Sequence, residues 1–198
     1  MIIYPEGATP LDPDEIAGLK FKHITTREEL DHLEQANIES GLKWLKNKKS
    51  VDVLSEVFIK ELHKKLFGDV WKWAGMFRKS EKNIGIDPIH ISTQLRMLID
   101  DTHYWIEHKT FLPMEVAIRF HHKLVYIHLF PNGNGRHARI MADTLLVNRL
   151  GHKAIDWSGG YALSKMSERR KSYIAALKQA DKGDYTALLN LIGIHAVN

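Results

Sequence analysis

The residues whose types could do chemistry crowd into one stretch, His128-Leu129-Phe130-Pro131-Asn132-Gly133-Asn134-Gly135-Arg136-His137-Ala138-Arg139. It is a polar, glycine-rich loop between two apolar runs. Such a loop turns several backbone N–H groups toward one point, at the positive end of the helix that follows, and anions bind there. Gly133 and Gly135 lack Cβ atoms and so permit unusual dihedrals and close approach of a ligand, while the Asn134 amide can brace the loop. Arg136 and Arg139 share one helix face, and guanidinium forks match phosphate oxygens. His128 stands at the other rim, and an ordinary imidazole pKa of about 6.5 makes it a candidate general base. Phe130 is expected to plug into the core and fix the loop. The pattern describes a phosphate site with a base beside it.

Helices must position that loop. Thr26 followed by Arg27, Glu28 and Glu29 has the form of a helix start, and Leu30, Leu33, Ile38, Leu42 and Leu45 continue an amphipathic helix to about Asn47. Ser50 or Asp52 can cap the next helix, with Val53, Val57, Leu62, Leu66 and Phe67 on its buried side and Gly68 at its end. The segment Asp69–Gly75 reads as a short turn anchored by Trp71 and Trp73. Met76 to Ile86, broken by Asn83 and Gly85, is the one stretch that reads as a hairpin.

Helical periodicity then runs from Ser92 to His108, from Pro113 to Tyr126, and from Arg136 to Asn148 with Gly151 as the stop. Two more helices are expected over roughly 164–181 and 184–195. Residues 1–24, with Pro5, Pro10 and Pro13, read as an extended lead-in. The expected fold is all-α with one small β-hairpin. It divides into an N-terminal extension and helix over 1–49 and a catalytic-type domain over 50–198.

Composition narrows the class. The chain has 198 residues, 44% hydrophobic and 26% charged, which is ordinary for a globular domain able to bury its own core. Without cysteine, disulfides, thiolate zinc sites and cysteine nucleophiles are excluded. Neither a signal peptide nor an apolar run of membrane length is visible, so a cytoplasmic, non-membrane protein is expected. The net charge of +4 decides little. Lys43, Lys46, Lys48 and Lys49 sit where cations complement a helix C-terminus, and no reading helix or aromatic platform accompanies them, so nucleic acid is not the expected partner.

The 128–139 segment resembles the Fic-domain signature, His-x-Phe-x-acid-Gly-Asn-Gly-Arg-x-x-Arg, at every defining position except the acidic one. The similarity extends over roughly 50–195, and the whole chain is similar to the Fic subgroup called mobile mystery protein B. The resemblance implies a Fic-type helical bundle and a protein adenylyltransferase that moves AMP from ATP to a Ser, Thr or Tyr hydroxyl. It implies that His128 deprotonates the hydroxyl, that Gly133, Asn134 and Gly135 receive the phosphates, and that Arg136 and Arg139 hold the outer ones. In the related Doc kinases a lysine replaces the second loop glycine, so Gly135 implies AMP transfer.

Asn132 departs from the signature. The family's acid there binds Mg2+ or Mn2+, and an amide oxygen supplies one charge fewer. An alternative therefore stands: a catalytically weak or silent nucleotide-binding or regulatory protein on the same fold. The resemblance also implies that Lys79, Ser80, Glu81, Lys82, Asn83 and Ile84 form a flap that docks the target polypeptide. It implies an inhibitory glutamate pairing with the second signature arginine, for which Glu39 is the nearest match and Glu34 a weaker one. Tyr161, with Trp157, can flank an adenine, Asp143 can orient Arg136, and His121 and His122 are expected in core or surface roles. The subgroup implies a toxin–antitoxin-like setting beside a helix-turn-helix partner protein.

Overall fold

A computed structural model describes residues 11–157 and 167–193. Its elements are α1 (Pro13–Ile16), α2 (Arg27–Lys46), α3 (Glu56–Phe67), a 3-10 turn (Pro88–His90), α4 (Ile91–Glu107), α5 (Pro113–Ile127), α6 (Asn134–Asn148), α7 (Ser167–Ala180) and α8 (Thr186–Leu191). Among the described residues there is no named strand, only an isolated antiparallel bridge between Leu19 and Trp71. The all-α expectation holds, and no described helix is long and apolar enough to cross a membrane.

Local chemistry explains the boundaries. Thr26 and Glu29 form a reciprocal capping box, each side chain accepting from the other's backbone N–H. For α3 the cap is Ser55, whose Oγ accepts from Phe58 N at 3.2 Å, rather than Ser50 or Asp52. The Asp52 carbonyl instead receives the Ser55 hydroxyl at 2.9 Å, closing the turn before the helix. Val57 falls outside the buried face, at 77% exposed, because the helix rolls Phe58, Ile59, Leu62 and Leu66 inward. The lead-in is not wholly extended either, since Asp12 and Pro13 start the one-turn α1.

The apolar faces of α2 to α6 make one core, including Leu30, Leu62, Leu66, Phe120 and Leu145. A second core joins Ala117, Ile118, Ala142 and Leu146 to Ala176, Ala180 and Leu188 of α7 and α8. Fully burying each large aliphatic side chain contributes on the order of 1.5–3 kcal/mol. The antiparallel pair α5 and α6 therefore lies between both cores, and the loop joining them is held at both roots.

The expected hairpin over 76–86 is absent. The segment has no ladder because side chains take its backbone and polar groups instead. Buried Arg78 donates to the carbonyls of Ser80 and Ile86. Ser80 Oγ donates to Asp12 at 2.7 Å, and Lys82 is ion-paired with Asp12 and Glu15. The Lys82 side chain is only 3% exposed. The segment is thus stitched to α1 and to the end of α5.

Candidate active site

The loop between α5 and α6 is built from two left-handed residues. His128 caps α5 at φ 58°, ψ 65°, and Gly133 caps the start of α6 at φ 78°. That conformation costs a non-glycine L-residue roughly 1–2 kcal/mol, and His128 accepts it where helices commonly end on glycine. Gly133 has a further reason to lack a side chain, since a Cβ there would meet the Phe67 ring at 2.6 Å. At Gly135 a Cβ would meet nothing within 4 Å. Open space therefore lies beside the positive end of α6, where first-turn N–H groups have no intrahelical partner. The loop ends two residues earlier than the sequence suggested, at Asn134 rather than Arg136.

Asn134 braces the loop in both directions. Its Oδ1 accepts from Phe130 N at 2.9 Å and its Nδ2 donates to the Phe130 carbonyl at 2.7 Å. With both side-chain ends used, its backbone is what it can offer a phosphate. Phe130 is fully buried, as expected, and stacks on His63 at 3.7 Å between centroids. His63 is a residue that the sequence reading missed. Its Nδ1 accepts from Gly75 N at 3.0 Å, so Nε2 carries the proton and donates to the Asn132 carbonyl at 3.1 Å. Burial holds its imidazole well below the usual histidine range, so it stays a neutral brace. The available signal was its place between Ile59 and Phe67 on the apolar face of α3.

His128 is itself buried, and burial first and the Arg78 guanidinium second depress its pKa to about 4. It is neutral at physiological pH and able to accept a proton. Arg136 lies over the Phe67 ring and pairs with Glu34 Oε2 at 2.7 Å. Glu34 is a buried carboxylate whose other oxygen accepts from Trp71 Nε1 at 2.7 Å. Arg139 turns instead toward the Tyr173 ring, its guanidinium carbon 5.9 Å from the centroid.

Other candidates fall elsewhere. Glu39 is on the exposed side of α2, bonded to Gln35 at 3.1 Å, so the glutamate that reaches a signature arginine is Glu34, on the first of the pair. Asp143 does not orient Arg136. It accepts from Ile155 N at 3.0 Å and from Trp157 Nε1, and burial raises its pKa. Trp157 packs at a tilt against His121, and Tyr161 lies outside the described residues. His121 meets the Tyr173 hydroxyl at 2.7 Å, while His122 meets Tyr185 and Asp181, so the pair serves two separate contacts in the interior. Of the flap candidates, Lys79, Glu81, Asn83 and Ile84 are exposed, whereas Ser80 and Lys82 turn toward α1.

A divalent cation finds little here. Asn132 Oδ1 accepts from Gly133 N at 2.6 Å, and no group of three or more His, Asp or Glu able to hold a metal occurs among the described residues. One neutral, already bonded oxygen does not make a cation site by itself.

These features define a helical domain whose loop between two central helices opens beside a helix N-terminus. Residues 53–146 match the Fic/DOC family. The protein adenylyltransferase Fic of Aedes aegypti is 28% identical over 170 residues, covering 82% of this chain and 32% of the relative. The chain thus spans about a third of the length of the curated relatives it matches. Fic-1 (residues 134–508) of Caenorhabditis elegans superposes with a TM-score of 0.63 at 26% identity, over 89% of this chain and 50% of that one. The N-terminal FIC domain of Bep8 from Bartonella sp. 1-1C shares the fold, with a TM-score of 0.70 at 16% identity and 88% coverage of both chains.

Proposed function

We propose that this chain is a protein adenylyltransferase working through the 128–139 segment. The observation that carries the reading is the open space beside Gly135 at the positive end of α6, with Arg136, Arg139 and a neutral His128 in the same loop-and-helix unit. Relatives named protein adenylyltransferase Fic support it.

In this reading ATP lays its phosphates at the α6 N-terminus, where first-turn N–H groups and the two guanidinium groups balance their charge. A Ser, Thr or Tyr hydroxyl of the target attacks the α-phosphorus while His128 takes its proton. The new O–P bond forms as the bond from the α-phosphorus to the bridging oxygen breaks, and pyrophosphate leaves with that oxygen. The chain's contribution is positioning and charge stabilisation. A side chain in place of Gly135 would fill the phosphate space. Mg2+ or Mn2+ would arrive with ATP, Asn132 would have to give up its bond to Gly133 N to contact it, and no step depends on it here. The exposed residues of 79–84 dock the target polypeptide. Glu34 restrains the site by occupying Arg136. The subgroup resemblance supports a toxin–antitoxin-like setting beside a helix-turn-helix partner.

Intact-mass spectrometry of wild type and His128→Ala with ATP and Mg2+ tests this. AMP addition to the wild type alone is expected. ATP binding without transfer, unchanged by Asn132→Asp, would favour the second reading, a nucleotide-binding protein, to which the bonded Asn132 amide and the Glu34–Arg136 pair both point.

A further inference from the structure

Arg78 is a buried charge to which the transfer reading assigns no role, and its contacts converge on His128. Its backbone N–H donates to the Leu129 carbonyl at 2.9 Å, its Nε to the His128 carbonyl at 2.6 Å, and its Nη2 to the Ile127 carbonyl at 3.3 Å. Three consecutive carbonyls are therefore held by one residue. They lie at the negative end of α5, where helix carbonyls lack partners and a cation is favoured. The same guanidinium reaches the other way, Nη1 to the Ser80 carbonyl at 2.9 Å and Nη2 to the Ile86 carbonyl, spanning the base of the 80–86 segment. That segment presses on the histidine. A Cβ on Gly85 would come within 2.5 Å of His128 Cβ and 2.8 Å of Arg78 Nη2.

We propose that Arg78 is a positioning residue that locks the left-handed His128 and the target-docking segment into one geometry, so that the base and the docked hydroxyl keep a fixed register. The inference rests on the reading of His128 as the base and of 79–84 as the docking segment. A fork of donors is required, since an ammonium cannot span carbonyls on both sides. The charged groups that act on His128 are Arg78 and Lys82, both from this segment, while a Val125 carbonyl hydrogen bond opposes them.

The test uses the full chain as wild type, Arg78→Met and Arg78→Lys, each checked for folding by circular dichroism. The ring-proton NMR signal of His128, assigned by its loss in His128→Gln, is titrated from pH 8 to 5. Amide hydrogen exchange is followed over 80–86. In wild type His128 stays largely neutral to pH 5. In Arg78→Met its midpoint rises, while His121 and His137 do not move. In Arg78→Lys the midpoint holds, and exchange over 80–86 quickens about tenfold. A folded Arg78→Met with an unmoved His128 midpoint overturns the proposal. So does Arg78→Lys with wild-type exchange, and that arm decides if Arg78→Met fails to fold. If wild type transfers no AMP but both shifts are seen, the transferase reading falls and the locking role of Arg78 stands.

Discussion

Two segments meet at His128, and they are held in opposite ways. The 128–139 loop is braced from within, by the helices at its roots and by His63 of α3. Asn134 closes it onto Phe130, Phe130 stacks on His63, and His63 holds the Asn132 carbonyl. The 76–86 segment has no regular structure and is held from afar, by Arg78 to the end of α5 and by Ser80 and Lys82 to α1. Bracing of the first kind fixes geometry for charge-developing chemistry, whereas the Ser80 and Lys82 ties to α1 leave neighbouring side chains of the segment exposed. Under the proposed function, this sets a braced phosphate site beside a docking segment whose base Arg78 fixes while Lys79, Glu81, Asn83 and Ile84 stay exposed.

The sharpest way to break this contrast is to remove the proposed base. His128→Ala should lower AMP transfer by about 10²–10⁴-fold while ATP binding, followed by calorimetry, persists. Equal loss of binding would mean that the loop has collapsed. Next in size is the brace itself. Phe130→Ala should destabilise the chain by about 3–5 kcal/mol in urea unfolding, whereas Ile84→Ala on the exposed part of the 76–86 segment should stay within about 0.5 kcal/mol. Similar costs at both positions would erase the distinction.

Protons probe the same interior. Burial lowers the pKa of His121 to about 3 and of His128 and His137 to about 4. The unfolded chain, with histidines at about 6.5, binds more protons below that pH. The stability these groups contribute is therefore complete above about pH 6.5 and lost as pH falls toward 4, with a slope of up to about 1.4 kcal/mol per pH unit for each. Urea midpoints measured from pH 7.5 to 4.5 should show the fall, and a flat profile would mean that these imidazoles are not buried neutral. The smallest effect concerns the restraint. Glu34→Ala should raise self-modification about tenfold, the equivalent of about 1.4 kcal/mol, while Glu39→Gly should leave it unchanged. The reverse order would restore Glu39.

Much of the braced region was legible because its determinants are close in sequence. The His128–Arg139 spacing, the two glycines and the apolar helices on either side announce a loop at a helix start, and the Thr26–Glu29 capping box sets the start of α2. The tethered region was not legible. Met76–Ile86 alternates enough to suggest a hairpin, but its conformation depends on Asp12 and Glu15, more than sixty residues away, and on the end of α5. Arg78 reads locally as one more surface cation. Spacing alone favours Glu39 over Glu34, whereas the roll of α2 that turns Glu34 to Trp71 and Arg136 is set by packing against α3.

The most direct measurement gives the Glu34→Ala chain ATP labelled on the α-phosphate in one reaction and on the γ-phosphate in another, with Glu34→Ala/His128→Ala beside each. Protein-bound label from the α-phosphate alone, absent without His128, is the result expected of an adenylyltransferase. Label from the γ-phosphate, or label that survives loss of His128, would contradict it.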